Sequence, residues 1–300
     1  MTFTGCGTAL VTPFRPDLSV DDEALRRLVK RQCAAGISFL VPCGTTGESP
    51  TLRPAEQCRV VAITVEEARR TKTPVVAGAG GNNTAHVIEM AREFQALGAD
   101  GILSVAPYYN KPTQEGLYQH YKALAEAISL PIILYNIPGR TGVNIETSTI
   151  VRLAEIGNII GVKEASGNIS QMAQVLASVP PRFLVLSGDD AITIPLMSLG
   201  GKGLISVVSN EIPAEMARLV QHCLSGDFAA ALEIHKKYFR LIEANFVETN
   251  PGPAKAAMAL MGLLEPVARL PIVMPKSENL AKIRGALEAV GLIQQVYAAR

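Results

Sequence analysis

The chain has 300 residues, 48% of them hydrophobic, and a formal net charge of +1 from 28 basic and 27 acidic side chains. The length and hydrophobic fraction predict a large buried core. The near-zero net charge argues against the basic surface with which proteins bind nucleic acid or anionic membranes. No apolar stretch is long enough to span a bilayer and the N-terminus lacks a signal-peptide pattern, so we expect a cytoplasmic protein.

Short apolar segments alternate with amphipathic helical segments along most of the chain. The predicted strands cover residues 7–11, 38–41, 74–78, 101–105, 131–135, 159–163, 183–187 and 203–206. The predicted helices between them include residues 21–35, 54–70, 84–97, 114–128 and 146–155. Strands that are apolar on both faces and separated by helices are typical of a parallel sheet covered by helices.

Eight such units in about 225 residues fit a closed (β/α)8 TIM barrel, an α/β fold, and this is the fold that we predict. An open doubly wound sheet is the alternative. That fold would normally carry a glycine-rich turn after its first strand, where this chain has Thr12-Pro13-Phe14.

The end of the chain, residues 226–300, predicts a helical appendage packed on a catalytic barrel of residues 1–225. Helices are predicted at about 227–246, 254–261 and 278–290, with proline breaks at 250–253, 270–271 and 274–275. The connections are too short for a true linker, so we do not expect an independent domain.

The cysteines and histidines form no recognisable ligand pattern. The five cysteines are odd in number and have no paired spacing, which predicts free thiols. The four histidines show no metal-ligand spacing. We therefore predict no catalytic metal.

Polar side chains follow the carboxyl ends of several predicted strands. In a TIM barrel these ends form the catalytic face, so residues far apart in sequence converge on one mouth. The residues concerned are Thr45, Tyr109, Tyr135, Arg140, Lys163 and Gly188.

Lys163 ends the apolar run of residues 159–162. Burial favours the neutral amine, which is the nucleophile that forms a Schiff base with a ketone. The sequence therefore indicates covalent catalysis at Lys163. A solvated lysine at a strand end is the alternative, and the shared position of the other polar strand ends argues against it.

Several spaced motifs resemble the signature segments of one enzyme family. They read GTTGE at 44–48, YYNKP at 108–112, YNIPGRTG at 135–142, GVKEA at 161–165, GDD at 188–190 and NPGPAK at 250–255. Across essentially the whole chain, they resemble the dihydrodipicolinate synthase / N-acetylneuraminate lyase family. The resemblance implies Schiff-base chemistry on a 2-keto acid, with no cofactor other than the covalent imine of Lys163 with pyruvate.

The resemblance implies four catalytic residues. Lys163 would form the imine, which draws electrons so that a methyl proton can leave and an enamine nucleophile can form. Tyr135 would act as the acid/base, with Thr45 and Tyr109 as its relay partners. Tyr109 would reach into the site of a neighbouring subunit.

Four further residues would bind substrate by the same resemblance. Thr46 would bind the pyruvate carboxylate, Gly188 would leave room for the keto acid, and Ile205 would contact it through its backbone. Arg140 would bind the carboxylate of the second substrate through two parallel hydrogen bonds. A barrel-core isoleucine at 205 remains the alternative interpretation.

Arg140 favours the branch of the family that condenses pyruvate with L-aspartate 4-semialdehyde on the route to diaminopimelate and lysine. Sialic acid lyases read a polyhydroxylated chain and typically lack an arginine here. An aldolase or dehydratase acting on a sugar-derived 2-keto acid is the first alternative. A non-catalytic paralogue that binds a small metabolite is the second.

The resemblance also concerns assembly and regulation. The expected partners are small-molecule substrates and further copies of the chain, in a homotetramer built as a dimer of dimers or in a dimer. In feedback-inhibited members of the family, lysine binds at the dimer interface. Here Pro54 and Gln57 replace histidines and His86 replaces a glutamate, so we predict weak or absent inhibition by lysine.

Overall fold

The computed structural model describes residues 3–294. Residues 1–2 and 295–300, the latter including the end of the predicted appendage, lie outside the described residues. The strands are β1 (Gly5–Ala9), β2 (Phe39–Val41), β3 (Val76–Gly78), β4 (Gly101–Val105), β5 (Ile132–Asn136), β6 (Ile159–Glu164), β7 (Leu184–Ser187) and β8 (Gly203–Ser206). Each of them overlaps a predicted strand.

The strands form one parallel sheet that closes on itself. Its hydrogen-bonded order is β2-β1-β8-β7-β6-β5-β4-β3. β2 and β3 meet through a bridge between Leu40 and Val75, where the Leu40 N–H donates to the Pro74 carbonyl at 2.9 Å. The predicted (β/α)8 TIM barrel is therefore confirmed. The open doubly wound alternative is wrong, because such a sheet would leave two edge strands unpaired.

Helices follow the strands and cover the outside of the barrel. They are α1 (Asp22–Ala34), α2 (Pro54–Ala68), α3 (Thr84–Ala96), α4 (Gln114–Ala127), α5 (Pro138–Thr141), α6 (Thr147–Ala154), α7 (Ile169–Ser178), α8 (Thr193–Ser198), α9 (Pro213–Leu224), α10 (Phe228–Ala244), α11 (Gly252–Leu260) and α12 (Ser277–Ala289). Local chemistry sets several starts: the side chains of Asp21, Asn83 and Thr113 accept hydrogen bonds from the first turns of α1, α3 and α4. The four-residue α5 was not predicted, because Pro138-Gly139 reads as a turn in isolation.

Alternation along the strands separates the barrel interior from the layer that packs against the helices. Tyr135 and Ile205 belong to the interior cluster, whereas Leu134 belongs to the outer cluster shared with the helices. Lys163 pairs with Tyr135 in the β5–β6 register and faces the interior, while Val162 faces outwards. An interior position at the end of a strand therefore directs its side chain into the mouth of the barrel.

The C-terminal helices pack on the barrel. α10 contacts α8 and α9, α12 contacts both α10 and α11, and α11 contacts the short segment Val208–Asn210 that follows β8. The division at residue 225 stays a prediction. Among the helices of residues 3–294, none is long and apolar enough to cross a membrane.

Candidate active site

A cavity of about 50 Å³ lies at the carboxyl end of the barrel. Six of the eight predicted site residues line it: Thr45, Thr46, Tyr135, Arg140, Lys163 and Gly188. Residues that were not predicted as site residues also line it, among them Val207, Phe246 and Asn250. The barrel and the C-terminal appendage therefore build this cavity together.

Lys163 is buried at the end of β6, with its Nζ 4.1 Å from the centroid of the Tyr135 ring. Burial lowers its pKa from 10.5 to about 8, and the positive charge of Arg140 acts in the same direction, whereas the carboxylates of Asp190 and Asp189 oppose the change. At pH 7 this raises the neutral fraction from about one amine in 3,000 to about one in 10. The amine is thus prepared for nucleophilic attack.

Tyr135 is buried beside Lys163 and keeps its proton at neutral pH. Burial raises its pKa to about 12, while the charge of Arg140 and the polar side chain of Thr45 act against the rise. A phenol with this pKa can donate a proton but needs a partner to accept one. Thr45 is placed to be that partner.

Asn136 and Glu164 lie one residue beyond Tyr135 and Lys163 and are fully buried on the opposite face of the sheet. The Asn136 Nδ2 donates to both carboxylate oxygens of Glu164 at 3.2 Å, and the Ser166 N–H donates to the Glu164 Oε1 at 2.9 Å. These bonds hold the register in which the phenol and the amine are neighbours. Sequence reasoning assigned no role to this pair, although both residues stand inside recognised motifs.

Gly188 follows β7 and has no space for a side chain. A Cβ there would lie 2.9 Å from the Lys163 Cε and 2.7 Å from the Ala165 Cβ. Carbon atoms in contact normally stay about 3.5–4.0 Å apart. The absence of a side chain at Gly188 therefore leaves the space that the aliphatic part of the Lys163 side chain occupies.

Asn250 connects the appendage to the loop of residues 44–48. Its Nδ2 donates to the Thr46 Oγ1 at 3.0 Å, and its carbonyl accepts a hydrogen bond from an Arg140 Nη2 at 3.3 Å. One residue outside the barrel thus contacts two predicted substrate-binding side chains. The sequence motif at 250–255 pointed to the segment, but only the fold brings Asn250 to the cavity.

Two predicted site residues lie outside the cavity lining. Tyr109 is 88% exposed in the single chain and has a φ of +70°, in the left-handed region. Ile205 is fully buried among the interior residues of the barrel, while Val207, two positions later, reaches the lining. The roles predicted for Tyr109 and Ile205 stay predictions.

A larger cavity of about 410 Å³ opens from the same mouth. Its lining includes the three residues considered above for lysine binding, Pro54, Gln57 and His86, together with Ser49, Asn82 and Tyr108. Among the described lining residues there is no aspartate or glutamate.

The arrangement is suited to imine chemistry. A buried amine of lowered pKa can attack a carbonyl, a neighbouring phenol and hydroxyl can move protons, and a guanidinium can attract an anionic substrate. In the described part of the chain, no group of three or more His, Cys, Asp or Glu side chains could hold a metal ion.

Known proteins resemble this chain over its whole length. The model of the dihydrodipicolinate synthetase family matches residues 2–290. A 4-hydroxy-tetrahydrodipicolinate synthase of Koribacter versatilis is 52% identical, with 100% of each chain covered, and one of Chloroherpeton thalassium is 53% identical, with 97% of this chain and 96% of the relative covered. The crystal structure of a dihydrodipicolinate synthase from Acinetobacter baumannii, a complex with pyruvate, is 41% identical, with a TM-score of 0.95, 97% of this chain and 100% of that chain covered. The chain therefore belongs to the dihydrodipicolinate synthetase family.

Proposed function

We propose that this chain is a lyase that condenses pyruvate with L-aspartate 4-semialdehyde to give 4-hydroxy-tetrahydrodipicolinate, in the biosynthesis of diaminopimelate and lysine. The observation that carries the proposal is the buried Lys163 amine beside Tyr135, with Arg140 at the same cavity. Relatives that are 52% and 53% identical to this chain over nearly its full length are named 4-hydroxy-tetrahydrodipicolinate synthase. In this proposal the protein acts in the cytoplasm, where the other enzymes of amino-acid biosynthesis act.

The chemistry starts at the Lys163 Nζ. Its lone pair attacks the ketone carbon of pyruvate, and water leaves to give an imine. The imine withdraws electrons, so a methyl proton departs and the enamine carbon can bond to the aldehyde carbon of the second substrate. Tyr135 supplies and recovers protons, and Thr45 passes them on. No other cofactor is needed for these steps.

Substrate binding uses the polar groups around the amine. Thr46 binds the pyruvate carboxylate, and Gly188 leaves the space that the keto acid and the lysine stem share. Ile205 contributes through its backbone. Arg140 binds the carboxylate of the aldehyde, because a guanidinium fits a carboxylate with two parallel hydrogen bonds.

Full activity requires a second subunit in this proposal. Tyr109 is a large side chain that is 88% exposed and held in a left-handed backbone conformation, which suits a residue that reaches into a neighbouring site. The assembly would be a homotetramer of two dimers. Sedimentation of the purified chain gives its mass, and a monomer with full activity would exclude the shared site.

A sugar-acid aldolase is the less favoured function. Arg140 and its hydrogen bond to the Asn250 carbonyl provide a cation where a polyhydroxylated chain would need neutral partners. A non-catalytic binding protein would have no use for a buried amine of lowered pKa.

The test is a coupled assay with pyruvate and L-aspartate 4-semialdehyde. We expect turnover by the wild type and its loss in Lys163→Ala, together with loss of the borohydride-trapped pyruvate adduct. A folded wild type that traps pyruvate but turns over only sugar-derived aldehydes would overturn the synthase assignment. A wild type that traps no pyruvate would overturn imine chemistry altogether.

A further inference from the structure

A fully buried ion pair connects the site loop of residues 44–48 to helix α11. The Lys255 Nζ donates to the Glu48 Oε1, and both side chains are almost completely inaccessible to solvent. The second Glu48 oxygen accepts the backbone N–H of Arg269 at 3.0 Å. The Lys255 Nζ also donates to the Val267 carbonyl at 2.9 Å. Glu48 is thus held by two separate parts of the C-terminal appendage.

The loop that ends at Glu48 has an unfavourable backbone conformation. Glu48 has a φ of +53° and Cys43, just before the loop, has a φ of +56°, both in the left-handed region that disfavours residues with a Cβ. The Glu48 N–H donates to the Thr45 carbonyl at 3.1 Å. This hydrogen bond couples the position of Glu48 to that of Thr45, and the backbone joins Thr45 to Thr46.

Stability is a poor explanation for this pair. Two charges that are taken out of water lose solvation free energy, and their mutual attraction offsets little more than this loss. Proteins in which apolar residues of similar volume replace a buried ion pair are often equally stable or more stable. The lysine stands in an otherwise apolar stretch, residues 254–258, where a methionine or leucine would pack. Burial lowers the pKa of Lys255 to about 8, so the charge is retained against a real cost. A function for the charge, other than stability, is the better explanation.

The aromatic ring beneath the pair fixes its position further. The Lys255 Nζ lies 4.0 Å from the centroid of the Phe14 ring, and the guanidinium of Arg269 lies 4.4 Å from the same ring. Phe14 is fully buried in the segment after β1. The pair therefore has one defined place between barrel and appendage.

From these contacts we infer that Lys255 and Glu48 are positioning residues: through them the C-terminal appendage holds the loop that presents Thr45 and Thr46 to pyruvate. The inference rests on the proposed function, because it assigns the pair a part in that reaction. Lys163 stands on β6, and no hydrogen bond or ion pair joins its side chain to Glu48 or Lys255. Loss of the pair should therefore weaken pyruvate binding and proton relay without disabling the amine.

The test variant is the double substitution Lys255→Met/Glu48→Gln, which removes both charges and preserves the shapes. We expect the half-saturating pyruvate concentration in borohydride trapping to rise about 10-fold and kcat to fall about 10-fold, since small displacements of aligned groups cost this much. Trapping at saturating pyruvate, and its pH midpoint, should equal those of the wild type. Glu48→Gln alone leaves an acceptor for only one of the two donors, the Lys255 ammonium and the Arg269 N–H, so it should change both constants in the same direction by at least as much.

The matched control is Arg26→Met, which removes the ion pairs of Arg26 on α1 with two residues of α2, the buried Glu67 Oε1 at 2.6 Å and the exposed Glu66 Oε2 at 2.8 Å. It should leave both constants within about twofold of the wild type even if the melting temperature falls. Double and Glu48→Gln variants that both behave like this control would overturn the inference. If the wild type traps pyruvate but makes no product from the aldehyde, the proposed function fails, while the pyruvate dependence of trapping still decides whether the pair positions the loop.

Discussion

Substitution of Gly188 by alanine tests the geometry around the reactive amine most directly. The new Cβ would lie 2.9 Å from the Lys163 Cε, so the lysine stem has to withdraw by about 0.6 Å to reach an ordinary carbon–carbon contact. A displacement approaching 1 Å at a reacting group costs up to about 100-fold in rate, so we expect kcat to fall by about 10- to 100-fold. The overpacking should also lower the free energy of unfolding by about 1–3 kcal/mol.

Two assays test Gly188→Ala. Steady-state turnover gives kcat, and borohydride trapping with pyruvate reports the amine alone, which should be impaired to a similar extent. Gly157→Ala is the matched control, because a Cβ at Gly157 meets no atom within 4 Å and the backbone there has no positive φ. If Gly188→Ala trapped pyruvate and turned over as fast as Gly157→Ala, the steric argument would be wrong.

The remaining predictions concern the amine, the guanidinium and the larger cavity. The rate of pyruvate trapping at Lys163 should rise with pH to a midpoint of about 8 and then level off, because only the neutral amine attacks; a midpoint near 10.5 would contradict the effect of burial. The lowered pKa of Lys163 costs folding free energy below pH 8, and this cost fades as the pH rises to 10.5, so Lys163→Met should raise the melting temperature more at pH 7 than at pH 10. Arg140→Gln should raise KM for the aldehyde by about 10- to 100-fold while pyruvate trapping persists, since a charged hydrogen-bond partner is lost; an unchanged KM would remove Arg140 from substrate binding. L-Lysine at about 1 mM should leave turnover unchanged, because the cavity that contains His86 has no described acidic lining residue to pair with its ammonium group; an inhibition constant in the sub-millimolar range would show otherwise.

The sequence predicted the barrel and the convergence of its polar strand ends well. Strands that are apolar on both faces, with amphipathic helices between them, leave few arrangements that bury both faces of a sheet, so the order of the elements was enough. Lys163 and Tyr135 stand at interior positions of β6 and β5, as their places at the ends of apolar runs indicated. The short α5 was missed because a proline-glycine pair has the same local preference in a turn as in the first residues of a helix.

Site residues outside the strand ends were less accessible to sequence reasoning. Asn250 and Lys255 belong to a recognised motif, yet the motif does not say that one contacts Thr46 and the other Glu48. The same limit applies to Ile205, whose side chain is in the barrel interior while that of Val207 reaches the cavity. Two residues further along the chain, a side chain that faces the interior lies closer to the mouth of the barrel. The local sequence pattern gives the face on which a side chain lies but not its distance from the mouth.

The amino-acid sequence alone predicted the fold from the periodicity of its elements and the family from the resemblance of its motifs, and it indicated Lys163 as the nucleophile. Only the tertiary structure decided the reactivity of that nucleophile. The lowered pKa of Lys163, its contact with the Tyr135 ring and the absence of space at Gly188 depend on burial and on distances between separate strands. The buried connection from Lys255 to Glu48 likewise joins segments about 200 residues apart, and long-range packing of this kind arises only when the whole barrel closes.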